Sequence, residues 1–261
     1  NTVKIVYGDI EDEKLITDLV KRNDIVINYA GVMPPFANLN SSIANSTNFG
    51  GTKNIVDAIK LTNPDCIYIH MSFISIYGDT SMTRRCLTVG TESNYPDDYY
   101  SVSLARSEEY IKTNLKKYLI LRMPIVLTCQ NYFINHMRLD TKMNFITKEN
   151  LNDILLYFMK TNKKGLGKVY NIGGFEAMSN DVAEGFYKAT GRISILNRNL
   201  YYGIFDDADL IEKQTGLKCD NCKEAFEDIK RENSNFKTTL LRIFNFPKYF
   251  IFKNRKKQKR K

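Results

Sequence analysis

Short apolar runs of strand length alternate with amphipathic stretches along the first half of the chain. VKIVY (residues 3–7) and DIVINYA (residues 24–30) are rich in β-branched residues, and EDEKLITDLVKR between them sets Leu15, Leu19 and Val20 on one helical face. A strand, helix, strand unit is predicted. A polar-then-apolar segment over residues 40–60 precedes a strand at CIYIHMS (residues 66–72), a loop to Asp98, a helix in DDYYSVSLARSEEYI (residues 97–111) and the apolar run KYLILRMPIVL (residues 117–127). Strands alternating with helices predict an α/β protein whose parallel sheet is covered on both faces.

The second half continues in kind. NFIT reads as a strand, and Leu151, Ile154, Leu155 and Phe158 repeat at helical spacing. GKVYNIGG (residues 167–174) predicts a strand ended by a glycine turn. SNDVAEGFYKATGR predicts a helix with Ser179 as its cap and Gly191 as its stop. Two further helices are predicted over residues 206–214 and 222–231, with no internal repeat or low-complexity linker.

Charge changes the picture only at one end. The chain of 261 residues carries a formal charge of +9, and its last stretch, IFKNRKKQKRK, holds seven Lys or Arg and no acid, leaving +2 (9 − 7) for the rest. This is a basic tail and not a basic domain, so a nucleic-acid-binding domain is disfavoured. The same tail carries Leu240, Leu241, Phe244, Phe246, Phe250 and Phe252, with Pro247 expected to interrupt any helix. Three readings stand open: insertion at an anionic membrane surface, docking on the protein's own core, and nonspecific RNA contact.

Five cysteines (Cys66, Cys86, Cys129, Cys219, Cys222) form an odd, scattered set, and no apolar run is long enough to span a bilayer. A reducing, cytoplasmic setting is expected, with possible placement at a membrane surface through the tail. Cys219 and Cys222 form a lone CxxC far from His70 and His136 in sequence, favouring a plain loop over a metal site.

The order of short motifs carries more than any one of them. GDI after the first strand, NYAG after the second, NFGGTKNIVDAI, SFISIYGD, Tyr100 on a helix, LILRMP, NFITKENLNDIL, VYNIGG and FDDADLIEKQTGLK follow one another over residues 3–231. Together they resemble the extended short-chain dehydrogenase/reductases, the NAD-dependent epimerase/dehydratase family. The resemblance implies an α/β fold of the Rossmann type with a doubly wound parallel sheet, a dinucleotide-binding portion over residues 1–162, a small α/β substrate portion over 163–235 and a separate amphipathic tail over 236–261. It implies NAD or NADP as cofactor, a sugar nucleotide or related hydroxylated substrate, and a homodimer. No metal is implied.

By resemblance, Asp9 would bond the adenine amino group and Ile10 would pack on its ring. Tyr29, Ala30 and Gly31 would pass beneath the cofactor, and Asn48 would lie on its nicotinamide side. A turn or capping aspartate is the plain alternative for Asp9. The family's opening glycine-rich phosphate turn has no counterpart here. The chain starts at Asn1 without an initiating methionine, so a fragment is expected, with the first βαβ unit, about 30 residues or more, lying upstream.

The catalytic pattern is incomplete. The family pairs a tyrosine with a lysine one helical turn later, whose charge favours the phenolate, and with a serine or threonine hydroxyl. Tyr100 matches the tyrosine, with Glu108 matching a downstream acid, but Leu104 fills the lysine position and Phe73 the hydroxyl position. Arg106 is two residues beyond Leu104, about 200° around the helix from that position. Ser72 alternates to the opposite strand face, and Ser75 sits nearer the turn. Tyr100 is thus either the one surviving catalytic group or a packed helix tyrosine. The segment after LILRMP is short; Gln130, Asn131, Arg138 and Lys142 could meet a phosphate or be plain loop residues. Two functions follow: tyrosine-assisted hydride transfer, or a non-catalytic member that binds a dinucleotide or a partner.

Overall fold

The computed structural model describes residues 3–78, 80, 86–91, 98–128, 140–161, 165–193, 202–233 and 236–259, with backbone alone at 202, 236 and 251–259. In chain order the elements are α1 (Glu13–Val20), β1 (Ile25–Asn28), α2 (Phe36–Leu39), α3 (Ser41–Ile43), a π-helical stretch (Ala44–Gly50), α4 (Gly51–Thr62), β2 (Ile67–Phe73), a 3-10 turn (Ile74–Tyr77), α5 (Tyr99–Asn114) and β3 (Tyr118–Met123). There follow β4 (Ile125–Leu127), β5 (Lys142–Thr147), α6 (Lys148–Lys160), β6 (Lys168–Asn171), β7 (Phe175–Met178), α7 (Ser179–Thr190), β8 (Tyr202–Gly203), α8 (Asp209–Thr215), α9 (Cys222–Glu232) and α10 (Phe236–Lys259). They divide into two compact units that interleave along the sequence.

The first unit comprises Asn1–Gly78, Val89–Met123 and Phe158–Tyr170. Its sheet has the order β1-β2-β3-β6, with β1, β2 and β3 parallel. Apolar residues of α1 (Val20), α4 (Ile55, Val56, Ile59) and α5 (Ile111) pack on Tyr68, Tyr118 and Ile120 of the sheet to form the core. Local chemistry sets the helix starts: Asp12 accepts the Leu15 N–H at 3.0 Å to cap α1, and Asp98 accepts the Ser101 N–H at 2.8 Å to cap α5.

Two expectations fail here. Residues 3–7 form no strand, and Val3, Ile5 and Tyr7 are exposed. A strand exists through ladder bonds to a neighbour, and no described residue offers one to this run. The run KYLILRMPIVL, read as continuous, breaks at Pro124 into β3 and β4, which join different sheets; proline has no N–H to give a ladder.

The second unit comprises Asp79–Thr88, Pro124–Tyr157 and Asn171–Lys261. Here β5 pairs in parallel with β4 and β8 and antiparallel with β7. Phe145 and Phe175 stack across β5 and β7, and Phe186 of α7 meets Phe226 of α9 edge-on at 5.2 Å. Asn221 and Glu224 form a reciprocal capping box at the start of α9.

Ser179 is not the cap of α7. Met178 is the flanking residue and makes no side-chain cap, while Ser179 opens the helix with its N–H given to the Thr141 carbonyl at 2.9 Å. Gly191 ends α7 at φ +72°, a left-handed conformation in which a side chain is strained. Pro247 lies inside α10 and does not interrupt it. The carbonyl freed of its helical partner four residues back belongs to Ile243, 64% exposed, where water can satisfy it.

Candidate functional site

The loop leaving β1 is held from both sides. Asn28 at the strand end accepts the Ala30 N–H at 2.9 Å. Asn48, buried in the π-helical stretch, accepts the Val32 N–H at 2.7 Å and donates to the Val32 carbonyl at 3.1 Å and to the Ser103 hydroxyl of α5 at 2.9 Å. A Cβ on Gly31 would lie 3.3 Å from the Asn48 amide oxygen, so glycine gives the loop room to approach. Tyr29, Ala30, Gly31 and Asn48 therefore come together, with Tyr29 exposed at the loop tip. Asn48 spends its amide on the loop and on α5.

Asp9 and Ile10 attach to the start of α4. One Asp9 carboxylate oxygen accepts the Glu11 N–H at 2.9 Å in a local turn, and the neighbouring Asp12 is the helix cap. Ile10 is half-buried, packs against the first unit's core, lies over Gly51, and accepts the Asn54 side-chain amide on its carbonyl at 3.1 Å.

Tyr100 opens α5. Its N–H reaches the Asn38 side chain at 3.2 Å, its carbonyl accepts the Ser103 hydroxyl at 2.6 Å, and its ring centroid lies 6.3 Å from that of Phe73. Ser103 thus joins the tyrosine turn to Asn48 and the β1 loop. Burial, and then the Asp98 charge, hold the Tyr100 phenol above the ordinary tyrosine range. Leu104, one turn on, is buried. Arg106 contacts Asn45 and lies 4.1 Å over the Phe49 ring. Among the described residues no cation or hydroxyl partners the Tyr100 phenol. Ser75, in the 3-10 turn after β2, has a buried hydroxyl with no partner among the described residues.

Beneath Tyr100 lies a charged cluster that the sequence motifs contain but do not display. Two turns along α5, Glu108 accepts the Ser72 hydroxyl at 2.6 Å and pairs with Arg122 of β3 at 2.7 Å, both ionic side chains being buried. Arg122 also donates to the Tyr77 hydroxyl at 2.7 Å and to the Val89 carbonyl at 3.3 Å. Burial alone would lower the Arg122 guanidinium, but the Glu108 carboxylate outweighs it and holds it above its usual value. Ser72 turns inward to this pair while Phe73 turns to Tyr100, as strand alternation requires. The network ties α5, β2 and β3 together and fixes the tyrosine turn over the end of β2.

A second buried row starts at Asn28, whose amide donates to the Tyr68 hydroxyl at 3.1 Å; that hydroxyl lies 3.3 Å from His70 Nδ1. The other ring nitrogen of His70, Nε2, is buried with no hydrogen-bond partner among the described residues. Burial pushes His70 down to about 4, against the opposing pull of the Glu108 charge.

Of the phosphate candidates, Lys142 pairs with Glu176 at 2.6 Å, and Gln130, Asn131 and Arg138 lie outside the described residues. Cys219 and Cys222 are free thiols, and among the described residues no three His, Cys, Asp or Glu side chains gather as a metal site.

The family model described as the NAD dependent epimerase/dehydratase family matches residues 1–148. The chain belongs to this family. Solved structures agree on the fold. RMD from Pseudomonas aeruginosa, complexed with NADPH, is similar at 17% identity and a TM-score of 0.73, over 88% of each chain. UDP-glucuronic acid 4-epimerase from Bacillus cereus, in complex with UDP-glucuronic acid and NAD, is similar at 18% identity and 0.69, over 86% of this chain and 80% of its own. DesIV, a dTDP-glucose 4,6-dehydratase from Streptomyces venezuelae with NAD bound, is similar at 16% and 0.73, over 87% and 78%. At these identities the likeness is one of fold: an α/β protein of the Rossmann type. No curated protein matches the sequence.

Proposed function

We propose that this epimerase/dehydratase-family protein binds NAD or NADP along the carboxyl ends of β1 and β2 and handles a sugar nucleotide or related hydroxylated compound beside Tyr100. The observation that carries the reading is the Asn48 staple, which joins the glycine-containing β1 loop to the tyrosine turn of α5 through Ser103. It brings loop, amide and tyrosine turn to one edge of a parallel sheet, the edge at which open α/β sheets take ligands. Proteins of similar fold carry NAD or NADPH, and some carry UDP-sugars.

The residues fit a dinucleotide in distinct ways. Asp9 keeps its second carboxylate oxygen, which no described residue uses, for the adenine amino group, and the exposed edge of half-buried Ile10 suits the ring. Tyr29, Ala30 and Gly31 would pass beneath the cofactor. Asn48 acts through the loop it holds, as a positioning residue. A bound dinucleotide would supply the hydride acceptor or donor.

In tyrosine-assisted hydride transfer, Tyr100 would take or give the substrate proton. A second reading, that the protein holds the dinucleotide without turnover, is favoured by one observation: burial and Asp98 both disfavour the phenolate, while Leu104 and Phe73 offer neither charge nor hydroxyl. Turnover through Tyr100 is predicted to run at least about a hundredfold slower than with both partners present. Binding is the first test. Calorimetric titration with NADH should show saturable binding that Asp9→Ala or Gly31→Val weakens, and a flat titration of the folded chain would refute the assignment.

A further inference from the structure

The helix α10 presents two faces of different fate. Its inner face is pinned to α7: Tyr249 stacks on Tyr187 at 4.0 Å, Arg242 donates to the Ala189 carbonyl at 2.7 Å, and Asn245 donates to the Gly191 carbonyl at 2.9 Å. The outer face carries Leu240, Ile243, Phe244, Phe246 and Phe250, with Phe244 75% and Phe250 55% exposed. Their spacing sets them within roughly 160° of one side of the helix. Lys237 and Lys248 are exposed, and helical spacing puts them beside that side. The sequence then runs on through 251–261 with seven Lys or Arg and no acid.

We infer that this face is a docking surface for an anionic lipid interface, entered in the plane of the headgroups. A partner must satisfy both halves of the pattern. Nucleic acid would take the basic end and leave the apolar face in water. A second copy laid on the same face would cover the aromatics but bring two clusters of seven positive charges together. An acidic membrane surface accepts phenylalanine side chains at the acyl boundary and lysines at the headgroups simultaneously. Among the described residues no helix is long and apolar enough to cross a membrane, so the geometry is peripheral. The pinned inner face leaves the helix preformed, which removes the ordering cost of folding on the membrane.

The test is flotation of the full chain with vesicles of phosphatidylcholine alone and of phosphatidylcholine with phosphatidylserine, at low and high salt. Recovery with the acidic vesicles is expected, and high salt should reduce it. Lys256→Glu with Lys257→Glu should lower partitioning by at least about fivefold for each lysine replaced. A triple change of Ile243, Phe244 and Phe250 to Ser, which leaves the Tyr187–Tyr249 stack in place, should lower it at least about tenfold. Circular dichroism of each variant checks the fold. Equal recovery on neutral vesicles, or recovery indifferent to the triple change, would overturn the inference. So would absence from both vesicles, whether the chain instead forms a dimer sensitive to the triple change or a complex with RNA.

Discussion

At the scale of single residues, two side chains carry the chemistry in opposite directions. Tyr100 is held protonated by its surroundings, and His70 is held neutral by burial. His70 has a consequence for pH. Its folded value of about 4 lies below the unfolded value of about 6.5, so between those limits the unfolded chain binds a proton that the folded chain refuses. Stability therefore falls as pH drops from about 6.5 towards 4, by on the order of 3 kcal/mol, and levels off below that. Urea unfolding across this range should show the loss, and His70→Asn should flatten it; an unchanged slope in the variant would exclude His70 as the source. Asn48 was visible in the sequence as a cofactor neighbour. What the sequence withheld was that the Asn48 amide is spent on Val32 and Ser103, because a hydrogen bond between residues 55 positions apart leaves no periodic trace.

At the scale of elements, the buried Glu108–Arg122 pair decides how α5 meets the sheet. Breaking one side leaves an uncompensated buried charge, so Glu108→Gln or Arg122→Met should each cost about 3–5 kcal/mol. Changing both, to Leu and Met, should cost less than the sum of the singles, since neither charge is then stranded. Chemical denaturation of the three variants measures this, and strict additivity would contradict the coupling. Gly191 plays a comparable part for α10. A Cβ there would come within 2.6 Å of the Arg242 nitrogen and 2.8 Å of the Thr238 carbonyl oxygen at a positive φ. Gly191→Ala should loosen α10 from α7, raising proteolytic cleavage within α10 while α7 remains protected; an unaltered pattern would show that the glycine is not needed for docking.

These elements also mark what was legible. The amphipathic α1 and the motif-bearing α5 could be placed from the sequence to within a few residues. The strand at residues 3–7 could not, since strand propensity is realised only when a neighbour supplies the ladder. Pro247 misled for the reverse reason: a proline disfavours a helix, but α10 is anchored by side-chain contacts on both sides of it, through Arg242 and Asn245 before and Tyr249 after.

At the scale of the whole molecule, the family is legible in motif order alone, and the incomplete triad is legible as Leu104 and Phe73. The central claim joins the two: a sheet edge built to hold a nicotinamide dinucleotide, with a phenol deprived of its usual helpers. One measurement bears on it most directly. NADH formation and consumption are followed with UDP-sugars and dTDP-sugars for the full chain and for Tyr100→Phe, after calorimetry has established dinucleotide binding in both. The account predicts binding in both proteins and a slow turnover in the full chain that Tyr100→Phe lowers by at least about tenfold. A chain that binds no dinucleotide, or turnover that Tyr100→Phe leaves unchanged, would contradict it.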